Sequence, residues 1–234
     1  MNTLRNLALG AVALAASLTA HAAAFQNGSF ESGSWPGGPV DTVVVSPGGT
    51  QFITGWTSYG LEWNGSGNPR VGDVAWLNCP GGCWTDLNPA DGDKFVDLTG
   101  YSTSEYGAIY QTFDTVAGQQ YEVTFSLGYS LTWSGAAPDP SLYVVAKDGS
   151  AIVNDLDPAW QGYTSTTAGW TTQTYTFTAS SGTSSLFFAG GYDANHYVGL
   201  DDVKVTAVPE PETYAMMLAG LGALGFMARR RKAQ

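Results

Sequence analysis

The sequence predicts an all-β fold, a sandwich or jelly roll. Three observations carry that expectation. Several short segments alternate strictly between apolar and polar residues, clusters of Gly, Pro, Asn and Asp separate them, and no long helical period occurs between Gln26 and Ala207.

The segment 121–127, Tyr-Glu-Val-Thr-Phe-Ser-Leu, alternates without a break and reads as a strand with one buried face. Residues 174–178, Thr-Tyr-Thr-Phe-Thr, repeat the pattern. Further strands are expected at 41–45, 94–98, 108–113, 141–146, 185–189 and 202–207. Turns fall at Pro47-Gly48-Gly49, Ala117-Gly118-Gln119, Asp148-Gly149, Ser181-Gly182 and Gly190-Gly191.

Both ends read as addresses rather than as fold. Arg5, the apolar stretch 7–20 and Ala20-His21-Ala22 make a signal peptide, cleaved after Ala22 or Ala24. At the other end Pro209-Glu210-Pro211 precedes an apolar run, 214–228, and then Arg229-Arg230-Arg231-Lys232. That run is shorter than the about 17–25 residues of a stable transmembrane helix, and Gly220, Gly222 and Gly225 weaken it further. With the basic cluster held on the cytoplasmic side, the segment reads as a transient membrane stop whose bulk is exported. The chain therefore divides into a signal peptide (1–24), a working domain (25–207) and a sorting segment (208–234).

The tail resembles the PEP-CTERM sorting signal of Gram-negative bacteria in motif, length and order of parts. The resemblance implies processing near Pro209-Glu210-Pro211 by an exosortase, a membrane cysteine protease. It implies passage across the inner membrane with transient anchoring there, a final place at the cell surface or in the extracellular matrix, and association with exopolysaccharide, biofilm or floc.

The working domain is more acidic than the whole chain. Of nine Lys and Arg only Arg70, Lys94, Lys147 and Lys204 lie in it, against 18 of the 20 Asp and Glu, which leaves it near −14 rather than −11. Such a field disfavours nucleic acid and anionic lipid as partners and favours cations and neutral ligands. Its two cysteines, Cys79 and Cys83 in Cys-Pro-Gly-Gly-Cys, are expected to pair in an oxidising compartment and pin a surface loop.

Three blocks then follow in order: Asn27-Gly28-Ser29-Phe30-Glu31 with Gly55-Trp56; Asp91 to Leu98 leading to Ile109-Tyr110-Gln111-Thr112-Phe113 and Gly118 to Phe125; and Leu200-Asp201-Asp202-Val203. Together they resemble a galactose-binding-like jelly roll, the fold of many carbohydrate-binding modules. The middle block is particularly similar to a family of unknown function first noted in plant cell-wall proteins. The resemblance implies that the first and last strands lie side by side, with a structural calcium ion near the seam, and Glu31, Asp201 and Asp202 are the candidate ligands. Strand alternation places Asp201 with Val203 and Val205, and Asp202 with Lys204 on the other face, unless a bulge intervenes. Asp91, Asp93 and Asp97 lack the EF-hand pattern and read as a turn entering a strand.

Eight tryptophans in one domain suggest sugar stacking. Trp56 and Trp170 each follow a glycine at an apparent strand start and are expected in the core. Trp63 could serve either role. Trp76, Trp84, Trp133 and Trp160 lie in loop-like stretches and are the candidate sugar contacts, Trp84 foremost. No nucleophile elbow, zinc motif or phosphate loop is present, and His196 reads as a loop residue. The expectation is a non-catalytic exported protein that binds or organises exopolysaccharide or another neutral glycan. The alternative is a purely structural matrix protein, and a third reading is a polysaccharide-active enzyme using paired carboxylates.

Overall fold

The computed structural model describes residues 24–38, 41–50, 52–60, 72–82, 87–99, 107–130, 141–149, 158–191, 198–209 and 219. Eleven strands are present among them: β1 (Asp41–Val45), β2 (Thr57–Gly60), β3 (Val74–Asn78), β4 (Lys94–Asp97), β5 (Gly107–Asp114), β6 (Gln120–Tyr129), β7 (Ser141–Asp148), β8 (Gln161–Thr164), β9 (Gly169–Thr178), β10 (Thr183–Gly190) and β11 (Val198–Ala207). They form two antiparallel sheets. One has six strands in the order β1-β3-β4-β11-β6-β9, and the other five in the order β2-β5-β10-β7-β8. This is the expected jelly-roll sandwich.

The sheets meet on their apolar sides. Val74, Trp76, Val96, Val123, Phe125, Leu127 and Leu200 of the first face Ile109, Phe113, Leu142, Val144, Leu186 and Phe188 of the second across one buried cluster. Burial of that apolar surface is the main force holding the layers together. The opening Asn27 to Glu31 stretch closes one side of the core. Trp56 Nε1 donates to the Asn27 carbonyl at 2.9 Å and Trp76 Nε1 to the Phe30 carbonyl at 3.0 Å. The Val203 N–H donates to the Gly28 carbonyl at 2.9 Å, so the first residues of the domain lie against the last strand.

Three strands escaped the alternation criterion, and β3 is the instructive one. Its first four residues, Val74 to Leu77, are all buried. Val74 and Trp76 enter the inter-sheet core, while Ala75 and Leu77 lie on the outer face beneath Leu87 and Trp170. A strand covered on both faces shows a continuous apolar run instead of a period of two. Trp76, expected in a sugar-binding loop, is therefore a core residue with no exposed surface. Trp56 is a core residue, as expected.

Trp170 differs from its expected place. It is half-buried on the outer face of the six-stranded sheet, edge-on to Phe95 at 5.5 Å, with its Nε1 donating to the Asn88 carbonyl. The ring spans a trough made by two paired glycines, Gly128 of β6 and Gly199 of β11. A Cβ on Gly128 would come within 2.6 Å of the Trp170 ring and 2.8 Å of Leu87. Gly128→Ala is accordingly expected to cost about 1–3 kcal/mol through forced repacking, read as a lower urea midpoint with an unchanged m-value.

The chain stays in the sheet until the sorting motif begins. Ala207 pairs with Tyr121, the Val208 N–H donates to the Gln120 carbonyl at 2.8 Å, and Gln119 Nε2 donates to the Val208 carbonyl at 2.6 Å. Pro209, the next residue, is exposed. Apart from residue 219, the sorting segment from 210 onward, expected as a transient membrane stop, lies outside the described residues, as do residues 1–23 of the signal peptide. Among the described residues no helix is long and apolar enough to cross a membrane.

Candidate functional site

The outer face of the five-stranded sheet carries an aromatic platform. Alternation along β5 sends Ile109 and Phe113 into the core and Ala108 and Tyr110 outward; along β10 it sends Leu186 and Phe188 inward and Phe187 and Ala189 outward. The pairing registers then line up rows across the sheet. One row reads Thr57, Tyr110, Phe187, Val145, and the next Tyr59, Ala108, Ala189, Tyr143, Gly162. A third row, Thr112, Ser185, Lys147, is polar.

Small and apolar side chains form the floor, for Ala108, Ala189, Val145 and Phe187 are all buried. Larger rings stand on it. Tyr110 stacks on Phe187 with centroids 4.8 Å apart, and Tyr59 meets both edge-on, at 6.0 Å from Tyr110 and 5.9 Å from Phe187. Trp160, half-buried, packs against Ala108 and Ala189 on one side and Val145 and Phe187 on the other. Tyr143 is the outlier, 39% exposed on a face of otherwise covered rings, and lies beside Gly162, where no side chain intervenes.

Polar groups border this surface. Thr112 Oγ1 and Ser185 Oγ share a hydrogen bond of 2.6 Å, and Ser185 also donates to the Gly149 carbonyl at 3.1 Å. Lys147 is the one charged side chain in the three rows, and none of them holds a carboxylate. The next row, Asp114 and Thr183, brings one acid onto the same face. The face can stack on the apolar face of a ring and offer hydroxyls at its border.

Of the four tryptophans proposed from sequence, Trp160 lies on this platform and Trp76 does not; Trp84 and Trp133 fall outside the described residues. The tryptophan criterion passes over Tyr59, Tyr110, Tyr143 and Phe187. Their signal was present in Leu186-Phe187-Phe188-Ala189, a run apolar on both strand faces, which marks a sheet whose outer side is also covered.

The carboxylates at the seam hold main chain. Asp201 Oδ2 accepts from the amides of Ala90 and Asp91 at 2.8 and 3.0 Å, and its Oδ1 accepts from Asp202 N at 2.7 Å. Glu31 Oε1 accepts from Asp93 N and Lys94 N at 2.8 and 2.6 Å, and Oε2 pairs with Lys94 Nζ at 3.3 Å. Two acids thus clamp one segment on either side of Gly92, where that segment crosses the outer face of the six-stranded sheet. Asp202 pairs with Lys204 at 2.7 Å. A bulge between Asp201 and Lys204, with Asp202 at φ 47°, turns Asp201 to the outer face, away from Val203. Simple alternation places those two on one face, and the bulge separates them. Among the described residues no group of three or more His, Cys, Asp or Glu is placed to hold a metal ion.

Burial governs the charge of two acids of this sheet, Asp201 and Asp97. Loss of solvent pushes Asp201 up to about 7 despite its three amide donors. Burial likewise pushes Asp97 up to about 6, opposed by bonds from Thr99 and Val198 and aided by nearby Asp73. Cys79 is buried at the end of β3 and is not a free thiol. Its expected partner Cys83 lies outside the described residues.

A family model described as a protein of unknown function, DUF642, matches residues 23–205, and the PEP-CTERM protein-sorting motif matches residues 207–232. No curated protein matches the chain. Among solved structures it is similar to a carbohydrate-binding module in complex with β-1,4-galactotriose, at 12% identity and TM-score 0.39 over 66% of this chain and 90% of that one. It is similar to a xylan-binding domain from Paenibacillus barcinonensis, at 14% identity and TM-score 0.38 over 73% and 97%. A third is a cleaved adhesin domain of Lys-gingipain from Porphyromonas gingivalis, at 16% identity and TM-score 0.42 over 72% and 99%.

Proposed function

The chain belongs to the DUF642 family of proteins of unknown function and bears the sorting motif of an exported protein, and from that premise we propose that it is a non-catalytic glycan-binding protein of the cell surface or extracellular matrix. The observation that carries this reading is the aromatic face of the five-stranded sheet, with Tyr143 open to solvent on β7, Tyr59 and Tyr110 on β2 and β5, and Trp160 packed over the strands between them. A neutral exopolysaccharide suits rows whose side chains are aromatic, small or hydroxylated, with Lys147 the one charge among them. In the same reading an exosortase processes the tail after transient anchoring in the inner membrane, and Cys79 pairs with Cys83 in the oxidising exterior.

The test is affinity electrophoresis of the mature protein through gels containing defined polysaccharides, the producing cell's own among them. Tyr143→Ala is expected to weaken binding roughly tenfold, about 1.4 kcal/mol, and to leave the melting temperature unchanged because the side chain is exposed. Trp160→Ala should weaken it further. Retardation by no polysaccharide, or retardation indifferent to both changes, would overturn the sugar site. That result would favour the structural reading, in which the rings only cover Val145 and Phe187.

A further inference from the structure

β9 is the outermost strand of the six-stranded sheet, and among the described residues no strand pairs with its outer side. Its ten residues, Gly-Trp-Thr-Thr-Gln-Thr-Tyr-Thr-Phe-Thr, include no charge and no proline, and its ladder to β6 runs unbroken from Gly169 to Thr178. Natural sheet edges are usually blunted by Lys, Pro or a bulge. This one has none of the three, on a domain whose sequence carries 18 acids outside it.

The direction of its main-chain groups follows from one contact. The Tyr163 hydroxyl donates to the Thr174 carbonyl at 2.8 Å, so that carbonyl points away from β6. In an antiparallel ladder the N–H and C=O of one residue face the same side, and successive residues alternate. Thr172, Thr174, Thr176 and Thr178 therefore offer both groups to the free edge, and their side chains are all exposed.

We propose that this edge is a homotypic interface, on which β9 of a second copy of the chain adds antiparallel. Centring the pair on Thr174 sets Thr174 against its own counterpart, Thr172 against the second copy's Thr176, and Trp170 against the second copy's Thr178. Each of these is a pair that exchanges two main-chain hydrogen bonds. The register is its own mirror under a two-fold axis, as a closed dimer requires. Facing threonines are favourable cross-strand neighbours, and no like charges meet. Tyr163 occupies one lone pair of the Thr174 carbonyl and leaves the other for the partner. Two sandwiches joined in this way share one continuous twelve-stranded sheet, with their acidic bodies on opposite sides of the seam.

Sedimentation velocity of the mature protein over a concentration series tests this. The wild type is expected to pass from monomer to dimer, and more readily as added salt screens repulsion between the two acidic bodies. Thr174→Pro removes an N–H that β6 does not use, which an edge strand tolerates. That variant should stay monomeric at every concentration with an unchanged circular dichroism spectrum. Thr174→Lys sets like charges face to face and should weaken the dimer at least roughly tenfold, which keeps the proposal testable if the proline variant fails to fold. A wild type that stays monomeric throughout would overturn the proposal. So would a dimer that both variants leave intact.

Discussion

Trp76→Ala is expected to lower the free energy of unfolding by about 3–5 kcal/mol, a large share of the roughly 5–15 kcal/mol that holds such a domain together. The side chain has no exposed surface. It meets Trp35 edge-on at 4.8 Å, its Nε1 is bonded to the Phe30 carbonyl, and its ring tip lies over Gly33, where an added Cβ would be 2.7 Å away. Truncation leaves a void between the sheets and orphans the Phe30 carbonyl, whose loss adds to the cavity cost. Trp76→Phe should recover much of the difference, since most of the ring volume returns and only the hydrogen bond is absent. Urea denaturation followed by tryptophan fluorescence and circular dichroism reads both variants. A stable Trp76→Ala protein with weakened polysaccharide binding would return this residue to the surface role that its sequence neighbours suggest.

Acidification from pH 8 to pH 5 is expected to raise the melting temperature. Asp201 and Asp97 titrate near 7 and near 6 in the folded chain, against 3.8 for a free aspartate. A carboxyl whose folded pKa is raised binds its proton more tightly folded than unfolded. Its contribution is fully present below the unfolded value and disappears as pH rises through the folded one. The window is therefore about pH 4 to pH 7, with stability greatest on its acid side. The combined gain is on the order of 3 kcal/mol, which for a domain of this size corresponds to roughly 5–10 °C. Asp41 acts in the opposite sense below that window, because the amides of Gly38 and Thr42 hold its pKa under the usual value. Asp201→Asn should flatten the profile between pH 5 and pH 8. A melting temperature that falls or stays level on acidification of the wild type would contradict the assignment.

What the sequence revealed and what it hid follow from the same physics. β6 and β9 announced themselves because one face of each is apolar and the other polar, and period-two reading detects that contrast. β3 did not, because Leu87 and Trp170 cover its outer face while its inner face builds the core. The Gly, Pro, Asn and Asp around it then read as a loop, which carried Trp76 to the wrong side of the surface. The bulge at Asp202 was legible only as a possibility. A left-handed residue in an apparently regular strand has no compositional mark when it is not glycine. The aromatic platform was least legible of all. Tyr59, Tyr110, Tyr143 and Phe187 come from four strands far apart in sequence, and only the register of the sheet brings them into adjacent rows.

The hydrogen bonds that hold Val208 to Gln120 and Gln119 leave no slack between the last strand and Pro209. A cut at the sorting motif is thus a cut at the rim of a finished body. In the proposed reading such a cut leaves the new chain end beside the last strand, with Val208 still bonded to Gln120 and Gln119 rather than set off on a spacer.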